Sequence, residues 1–477
     1  MENKNTWEIY NAKQLKEVDV FAQEYMDFLD NGKTERECID RIVNMIEKAG
    51  YRELETLSTS GAKLKAGDKV YSVWMNKSIA MFQIGKKKMA DGMNILGAHI
   101  DSPRLDIKQN PLYEDGGFAY LDTHYYGGVK KYQWVTIPLA IHGVVVKKDG
   151  TTVEINVGES EDDPVFFVSD LLIHLAQEQL EKKANKVIEG EALDIIIGNK
   201  PLVIEKKTGK GKTDDGDEKG AGKDAVKKGI LDILKKTYDR EEEDFISAEL
   251  EVVPAGKARE AGFDRSMILA YGQDDRVCAF SSLKAMLEIG QVERTACCIL
   301  VDKEEVGSVG ATGMQSKFFE NAVAEVMNLT GEYSELNVRR CLAHSCMLSS
   351  DVSSAFDPAF ASSFDKKNVA YLGGGMVFNK FTGSRGKSGS NDANAEYIGH
   401  IRAIYEKEKV NFQTAELGKV DLGGGGTIAY ILALYGMNVI DSGVAVLNMH
   451  APWEATSKAD VYEAKRGYVA FLKHADI

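Results

Sequence analysis

The segment Thr295–Val301, TACCILV, is a short apolar run followed at once by Asp302, Lys303, Glu304 and Glu305. So uniform a run reads as a strand buried on both faces, the kind found in a parallel sheet covered by helices. Adjacent carboxylates usually form a solvated corner, but directly after a buried strand an unpaired acid is costly. The same placement recurs along the chain. Residues 93–100 form a strand pattern ending at His99 and Asp101, and 267–271 is followed by Asp274 and Asp275. Residues 342–348 precede Asp351, and 437–448 precede His450. Each alone is a weak signal, since a strand-end Asp commonly caps or turns the chain. Together they put two histidines and several carboxylates beyond the ends of successive strands, where ligands gather in open α/β sheets. That combination is the ligand set for two divalent cations bridged by a carboxylate.

The rest of the pattern fits such a sheet. Residues 13–30 carry Leu15, Val18, Phe21, Ala22, Tyr25, Met26 and Leu29 at helical spacing. Thr34 and Glu37 make a capping box for a second helix with Ile39, Ile42, Val43 and Ile46 on its apolar face, and Gly50 suits its exit. From about 255 onward strands and helices alternate, with a helical stretch over 276–290 and a closing helix after Ser457. The expected fold class is α/β, a mixed sheet flanked by helices, with a mostly β domain inserted between the two halves. The halves are 1–105 and 255–477, and the insert is 106–254.

The insert has β-type runs at 134–146 and 152–157 and an apolar helical stretch around 171–175 that carries His174. Within it, 206–228 is almost wholly Lys, Asp, Glu, Gly and Thr. Such a segment buries too little apolar area to offset its ordering entropy, and it reads as a mobile charged loop.

Net charge is −14, which argues against nucleic acid or an anionic membrane as the main partner. The six cysteines form no CxxC pair and read as buried thiols. No stretch reaches the roughly 18 apolar residues of a spanning helix, and the start has no apolar signal core. A cytoplasmic protein is expected. The glycine runs at 307–313 and 422–427 lack the GK[ST] ending of a phosphate loop and suit close backbone approach near the cations instead.

With these motifs in hand, the chain resembles the aspartyl aminopeptidase and vacuolar aminopeptidase I family of co-catalytic zinc peptidases. The likeness runs over nearly the whole length. It includes HIDSP at 99–103, YGG at 126–128, LLIHL at 171–175, the Asp274-Asp275 pair, DKEEVGS at 302–308 and the Met449-His450 pair. The resemblance implies that His99 and His450 are terminal ligands of two different metals and that Asp274 bridges them. It further implies Glu305 and Asp351 as ligands, Asp351 on the metal that His99 binds, with Glu304 as general base. Asp101 would orient His99, as carboxylates do for ligating imidazoles. The cofactors implied are two divalent ions, zinc first, with cobalt or manganese as substitutes.

The implied substrate is a peptide with a free amino end, and the implied assembly is a homo-oligomer, a tetrahedral dodecamer. The family's acidic preference would draw on a lysine in a V-I-K-V-N-like stretch. Here Lys380, Arg385 and Lys387 supply positive charge, but the register departs from that pattern. His174 is a further candidate for substrate contact, and His124 or His174 could complete a neighbour's site. Two other readings stand beside the aminopeptidase: a metal-dependent carboxypeptidase or deacylase on the same core, and a non-catalytic shell protein. A blocked or free substrate amine separates the first, and retention of Glu304 beside a full ligand set argues against the second.

Overall fold

The computed structural model describes residues 4–202 and 223–477. They form two compact units, Met1–Ser102 with Lys257–Ile477, and Pro103–Gly256.

The larger unit is built on a nine-stranded mixed sheet. Its four central strands, in the order Thr295–Val301, Met93–His99, Cys346–Ser349 and Asn438–Gly443, are mutually parallel. Their register sets Val301 beside His99, and Ser349 beside both Gly97 and Asp441. All four therefore end at one edge. Thr295–Val301 shows why its sequence is apolar throughout. Ala296, Cys298 and Leu300 point into one core, and Cys297, Ile299 and Val301 into another on the opposite face. The first core is closed by the helices Ala12–Asp30, Glu35–Lys48, Gln273–Glu288 and Lys458–His474, the second by Phe318–Thr330 and Glu335–Ala343. The fold class is thus α/β with a mixed, helix-flanked sheet.

Local chemistry places these helices. Thr34 Oγ1 accepts the Glu37 N–H at 3.2 Å while Glu37 accepts the Thr34 N–H at 3.2 Å, the capping box read from sequence. Asn11 and Gln14 make a second one at the head of Ala12–Asp30. Phe21, Tyr25 and Phe28 all pack on Phe280, with ring centres 5.3–5.5 Å apart.

A second, five-stranded sheet in the same unit was not foreseen. It joins Arg259–Ala261, Met267–Ala270, Glu454–Ser457, Ala445–Leu447 and Ser353–Ser354 in that order. The run 437–448 is therefore two strands, one in each sheet, because the chain turns after Gly443. The run 342–348 likewise divides. Its first two residues close the helix Glu335–Ala343, and the strand is Cys346–Ser349.

Pro103–Gly256 holds a six-stranded antiparallel sheet in the order Thr152–Val157, Leu139–Val146, Ala248–Pro254, Arg104–Asp115, Phe118–Tyr126 and Ile195–Gly198. Of the charged segment 206–228, residues 206–222 lie outside the described residues, and 225–228 open the helix Ala225–Tyr238. The stretch 171–175 is not a helix with a buried face. It is a single 3-10 turn, Ile173–Leu175, and Leu171, Leu172, Ile173 and Leu175 are all exposed.

Gly443 fixes how closely its strand approaches the loop bearing Asp351. A Cβ there would lie 2.0 Å from the Asp351 carbonyl oxygen and 3.1 Å from Cys278 Sγ. Backbone cannot yield as a side-chain tip can, so Gly443→Ala is expected to destabilise the protein by about 1–3 kcal/mol. Urea unfolding followed by fluorescence measures this, and an unchanged midpoint would show that the approach is not tight.

Candidate metal centre

Three loops at the edge of the large sheet and two from the small sheet meet at one place. From the large sheet come His99 with Asp101, then Glu304 and Glu305, then Asp351. Asp274 follows Met267–Ala270, and His450 lies between Ala445–Leu447 and Glu454–Ser457. Gly272, at φ +68°, turns the chain into the helix that starts beside Asp274, and a Cβ on it would meet Arg276 Nη1 at 1.9 Å.

Asp274 sits at the centre. Its Oδ1 is 3.2 Å from His99 Nε2, and its Oδ2 is 3.3 Å from His450 Nε2. Glu304 Oε2 is 3.8 Å from His99 Nε2, and Glu305 Oε2 is 3.5 Å from His450 Nε2. Ligand atoms of His99, Asp274 and Glu305 lie within 4.8 Å of one another, as do those of His99, Glu304 and Asp351.

The His99 ring is oriented by its neighbours. Nδ1 is 3.0 Å from the Asp101 carbonyl oxygen and 3.4 Å from Asp101 Oδ1. A carbonyl only accepts, so Nδ1 carries the hydrogen, and Nε2 is the ring nitrogen that faces Asp274 and Glu304. Asp101 has a second task. Its two carboxylate oxygens accept the N–H groups of Glu304 and Glu305, each at 3.2 Å. Lys303 at φ +70° and Gly307 at φ +93° bracket the tight turn that presents this pair.

The electrostatics of the protein alone are unbalanced. Asp274 is buried, Asp351 is half-buried on the cavity wall, and Glu305 Oε1 is buried with no hydrogen-bond partner. Among the described residues no Lys or Arg makes an ion pair with Asp274, Glu304, Glu305 or Asp351. Burial and neighbouring carboxylates hold Asp351 and Glu305 well above the usual carboxyl range. Burial raises Glu304 to about 7, with His99 opposing and Asp101 adding. Burial works to raise Asp274 too, yet His450 and His99 hold it well below. Burial disfavours a charged His99, but Asp101 and Asp274 outweigh it and raise the ring well above the imidazole range. Lone pairs and carboxylates crowded together in this way fit divalent cations between them.

One group essential to this geometry was not singled out from sequence. Glu454 is buried, and its Oε1 accepts the His450 N–H at 2.7 Å while Oε2 accepts the Asp274 N–H at 3.0 Å. It clamps the backbones of both residues with one side chain. The only signal in the sequence is a carboxylate four residues after His450, which is too common to be read.

The cluster opens into a cavity of about 470 Å³. Its wall carries Asp274, Glu304, Glu305, Asp351 and His450 together with Asn379, Thr382, Thr427, Tyr430 and Asp441. Lys380 lines a different cavity, and Arg385 and Lys387 line an adjoining one that shares Thr382, Leu417 and Gly424 with the first. Lys387 pairs with Asp392 at 2.8 Å and covers the Phe381 ring. His124 and His174 are exposed side chains of the Pro103–Gly256 unit.

This geometry can be set against known proteins. Residues 28–472 match the family described as aminopeptidase I zinc metalloprotease (M18). The chain belongs to the M18 zinc aminopeptidase family. It is 62% identical over 473 residues to a probable M18 family aminopeptidase 1 of Clostridium acetobutylicum, covering 99% of this chain and 98% of the relative. The crystal structure of an M18 aminopeptidase from Thermotoga maritima superposes with a TM-score of 0.91 at 42% identity, covering 99% of both chains. A yeast structure described as the S. cerevisiae mApe1 dodecamer shares the fold, with a TM-score of 0.75 at 20% identity, covering 96% of this chain and 97% of that one. The protein is a zinc-dependent aminopeptidase. As M18 aminopeptidases hydrolyse peptides, the carboxypeptidase and shell readings fall away.

Glu454→Gln keeps the size of the side chain but offers an amide NH2 where one backbone N–H now finds an acceptor. A buried N–H left unpaired costs about 1–3 kcal/mol. Metal affinity is expected to fall about 10–100-fold, the usual effect of removing a group that orients ligands. Chelator competition measures it, and wild-type affinity would show that the clamp is dispensable.

Proposed function

We propose that His99, Asp274 and Asp351 hold one divalent ion and His450, Asp274 and Glu305 a second, both zinc in the native enzyme, with cobalt or manganese able to substitute. The observation that carries this reading is Asp274, whose two oxygens face Nε2 of two different histidines at 3.2 and 3.3 Å. When bound, such ions acidify water and polarise the scissile carbonyl.

The chain's own groups do the rest. Glu304 is the general base: it stands 3.8 Å from His99 Nε2, on the cavity wall, with no Lys or Arg among the described residues paired to it. It takes a proton from the attacking water and returns it to the leaving amine. Asp101 holds the Glu304–Glu305 turn through two N–H groups, so the base and its neighbour keep their separation. The carboxylate-rich wall attracts the ammonium end of a peptide, which suits removal of single residues from free amino ends.

Acidic preference at the first residue would rest on Lys380, Arg385 and Lys387, none of which lines this cavity. The unit Pro103–Gly256 is read as serving subunit contact and substrate access rather than chemistry. In its favour, it carries none of the ligands named here, and Ile173 and Leu175 are 66% and 67% exposed beside His174. An apolar turn so exposed suits burial against another subunit. A homo-oligomer, a closed tetrahedral dodecamer, is the proposed assembly, with His124 or His174 reaching a neighbouring site. Among the described residues no helix is long and apolar enough to cross a membrane, consistent with the cytoplasmic location proposed.

Glu304→Gln is expected to remove nearly all turnover while both metals stay bound, because an amide fills the space but accepts no proton. Metal content by mass spectrometry and anilide hydrolysis test this together. A variant retaining more than about a tenth of the wild-type rate, a barrier change under about 1.4 kcal/mol, means the base lies elsewhere. Chelation should abolish activity, with zinc, cobalt or manganese restoring it, and His99→Ala and His450→Ala should each lose metal. Solution mass tests the assembly: a fully active 52.5 kDa monomer would rule out both the shell and the shared site.

A further inference from the structure

The unit Pro103–Gly256 contains a second cavity, of about 290 Å³, that takes no part in the chemistry assigned above. Its floor is one face of the six-stranded sheet. Ile141 and Val157 are direct cross-strand partners there, and Val145 and Ile155 continue the same face along their two strands. Its roof is the helix Ala225–Tyr238, where Ile230, Ile233 and Leu234 follow helical spacing and line the cavity. The backbone groups of Leu139–Val146 are committed to strands on both sides, so the sheet offers hydrocarbon here rather than hydrogen bonds.

Arg240 is the one cation on this wall among the described residues, and it is only 7% exposed. Asp239, left-handed at φ +54°, ends the helix, and the Arg240 N–H donates to the Leu234 carbonyl at 3.0 Å. Arg240 is thereby folded back against the helix end. Its Nη1 donates to the Asp239 carbonyl at 2.8 Å, and its Nε is buried with no hydrogen-bond partner. The acids around it are engaged elsewhere. Asp239 pairs with Lys147, Glu241 pairs with Lys235 at 3.0 Å, and Asp244 accepts the Glu241 N–H at 2.9 Å. A guanidinium keeps its charge at any ordinary pH, and a buried N–H left unpaired is costly. An apolar cavity with one such group on its wall has the make-up of a ligand site, in which hydrocarbon supplies the contact and a few polar groups fix orientation.

We propose that this cavity binds a medium-length aliphatic carboxylic acid, with its chain between the sheet and the helix and its carboxylate on Arg240. The planar guanidinium presents N–H groups along an edge, and a carboxylate is the anion whose two oxygens match that edge. The apolar wall selects the rest of the ligand. A peptide entering by its carboxyl end would bring amide groups that find no partners on the sheet, whereas a hydrocarbon chain loses nothing by leaving water. The volume lies at the small end of ligand pockets, which start at about 300 Å³, and suits one narrow chain rather than a ring system.

The test is calorimetric titration of decanoate, below the concentration at which it forms micelles, into the metal-loaded full-length enzyme. Saturable binding of one decanoate per subunit is expected. Decanol, the same chain without the charge, and butyrate, the same head group without the chain, should each bind about tenfold or more weakly. Arg240→Gln should weaken decanoate about 10–100-fold, the worth of a hydrogen bond to a charged group, and leave decanol as it was. Ile155→Trp fills the cavity from the sheet side and should abolish binding of both. Decanoate that does not saturate, or that binds no better than decanol, overturns the proposal. So does full affinity for decanoate in either variant folded by circular dichroism, which is also the result expected if the carboxylate sits on the metals. Should Arg240→Gln fail to fold, the decanoate-to-decanol ratio in the wild type and the Ile155→Trp titration decide the matter. N-acetyl-leucyl-leucine, whose blocked amino end resists the enzyme, should bind more weakly than decanoate, and tighter binding would overturn the aliphatic acid in favour of a peptide end.

Discussion

The structure turns on one carboxylate between two imidazoles. Asp274 must present Oδ1 to His99 and Oδ2 to His450, and those residues come from different sheets. The large sheet carries His99 at a strand end, and the small one carries Asp274 and His450. The two sheets must therefore be held in fixed relation, and the dense packing of Gln273–Glu288 between them does so. That helix is buried over most of its length, from Gln273 at the site to Met286 in the core. Its first turn is bent at Asp274 and Asp275, so the helix that anchors the core also delivers the central ligand.

Around this carboxylate the fold spends hydrogen bonds on backbone rather than on carboxylate-to-cation pairs. Asp101 takes two N–H groups from the Glu304–Glu305 turn, and Glu454 takes one each from His450 and Asp274. Both acids act as braces, and neither brings positive charge into the site. Among the described residues the oxygens that face the centre consequently have the two imidazoles beside them and no Lys or Arg partner. Burial then raises Glu304, Glu305 and Asp351. A set of acids held apart by backbone bonds is preorganised, so little rearrangement is needed when cations enter.

Much of this was legible in the sequence, and the pattern of what was not is informative. Thr295–Val301 could be read because a strand buried on both faces must be apolar at every position. The capping box at Thr34 and the closing helix Lys458–His474 could be read because caps and helical periods are local. The small sheet could not. Its strands are three or four residues long or shorter, and what pairs them is tertiary contact. Residues 437–448 look like one apolar strand, and the turn after Gly443 that divides them between two sheets depends on how near the Asp351 backbone lies. Glu454 was missed for the same reason: its partners are backbone N–H groups, which leave no trace in side-chain spacing. The stretch 171–175 misled in another way. The apolar residues in sequence suggest a helix face, whereas in the fold they stand in solvent on a single turn.

The cavity wall shows how the two kinds of information combine. Sequence placed three basic residues, Lys380, Arg385 and Lys387, near the site along the chain, and by charge alone they invite an acidic substrate. Geometry decides which of them share a cavity with the carboxylate cluster. Lys380 follows a strand whose last side chain is already turned toward the cavity, so its own is directed elsewhere. Lys387 is engaged by Asp392 and by the Phe381 ring, both outside the cavity wall. At the exposed positions of Arg385 and Lys387 water screens charge strongly, whereas Asp441 acts at short range in an enclosed space. Proximity in sequence is therefore a poor guide to which charges share a cavity, and none of the three lines the wall that carries Asp441.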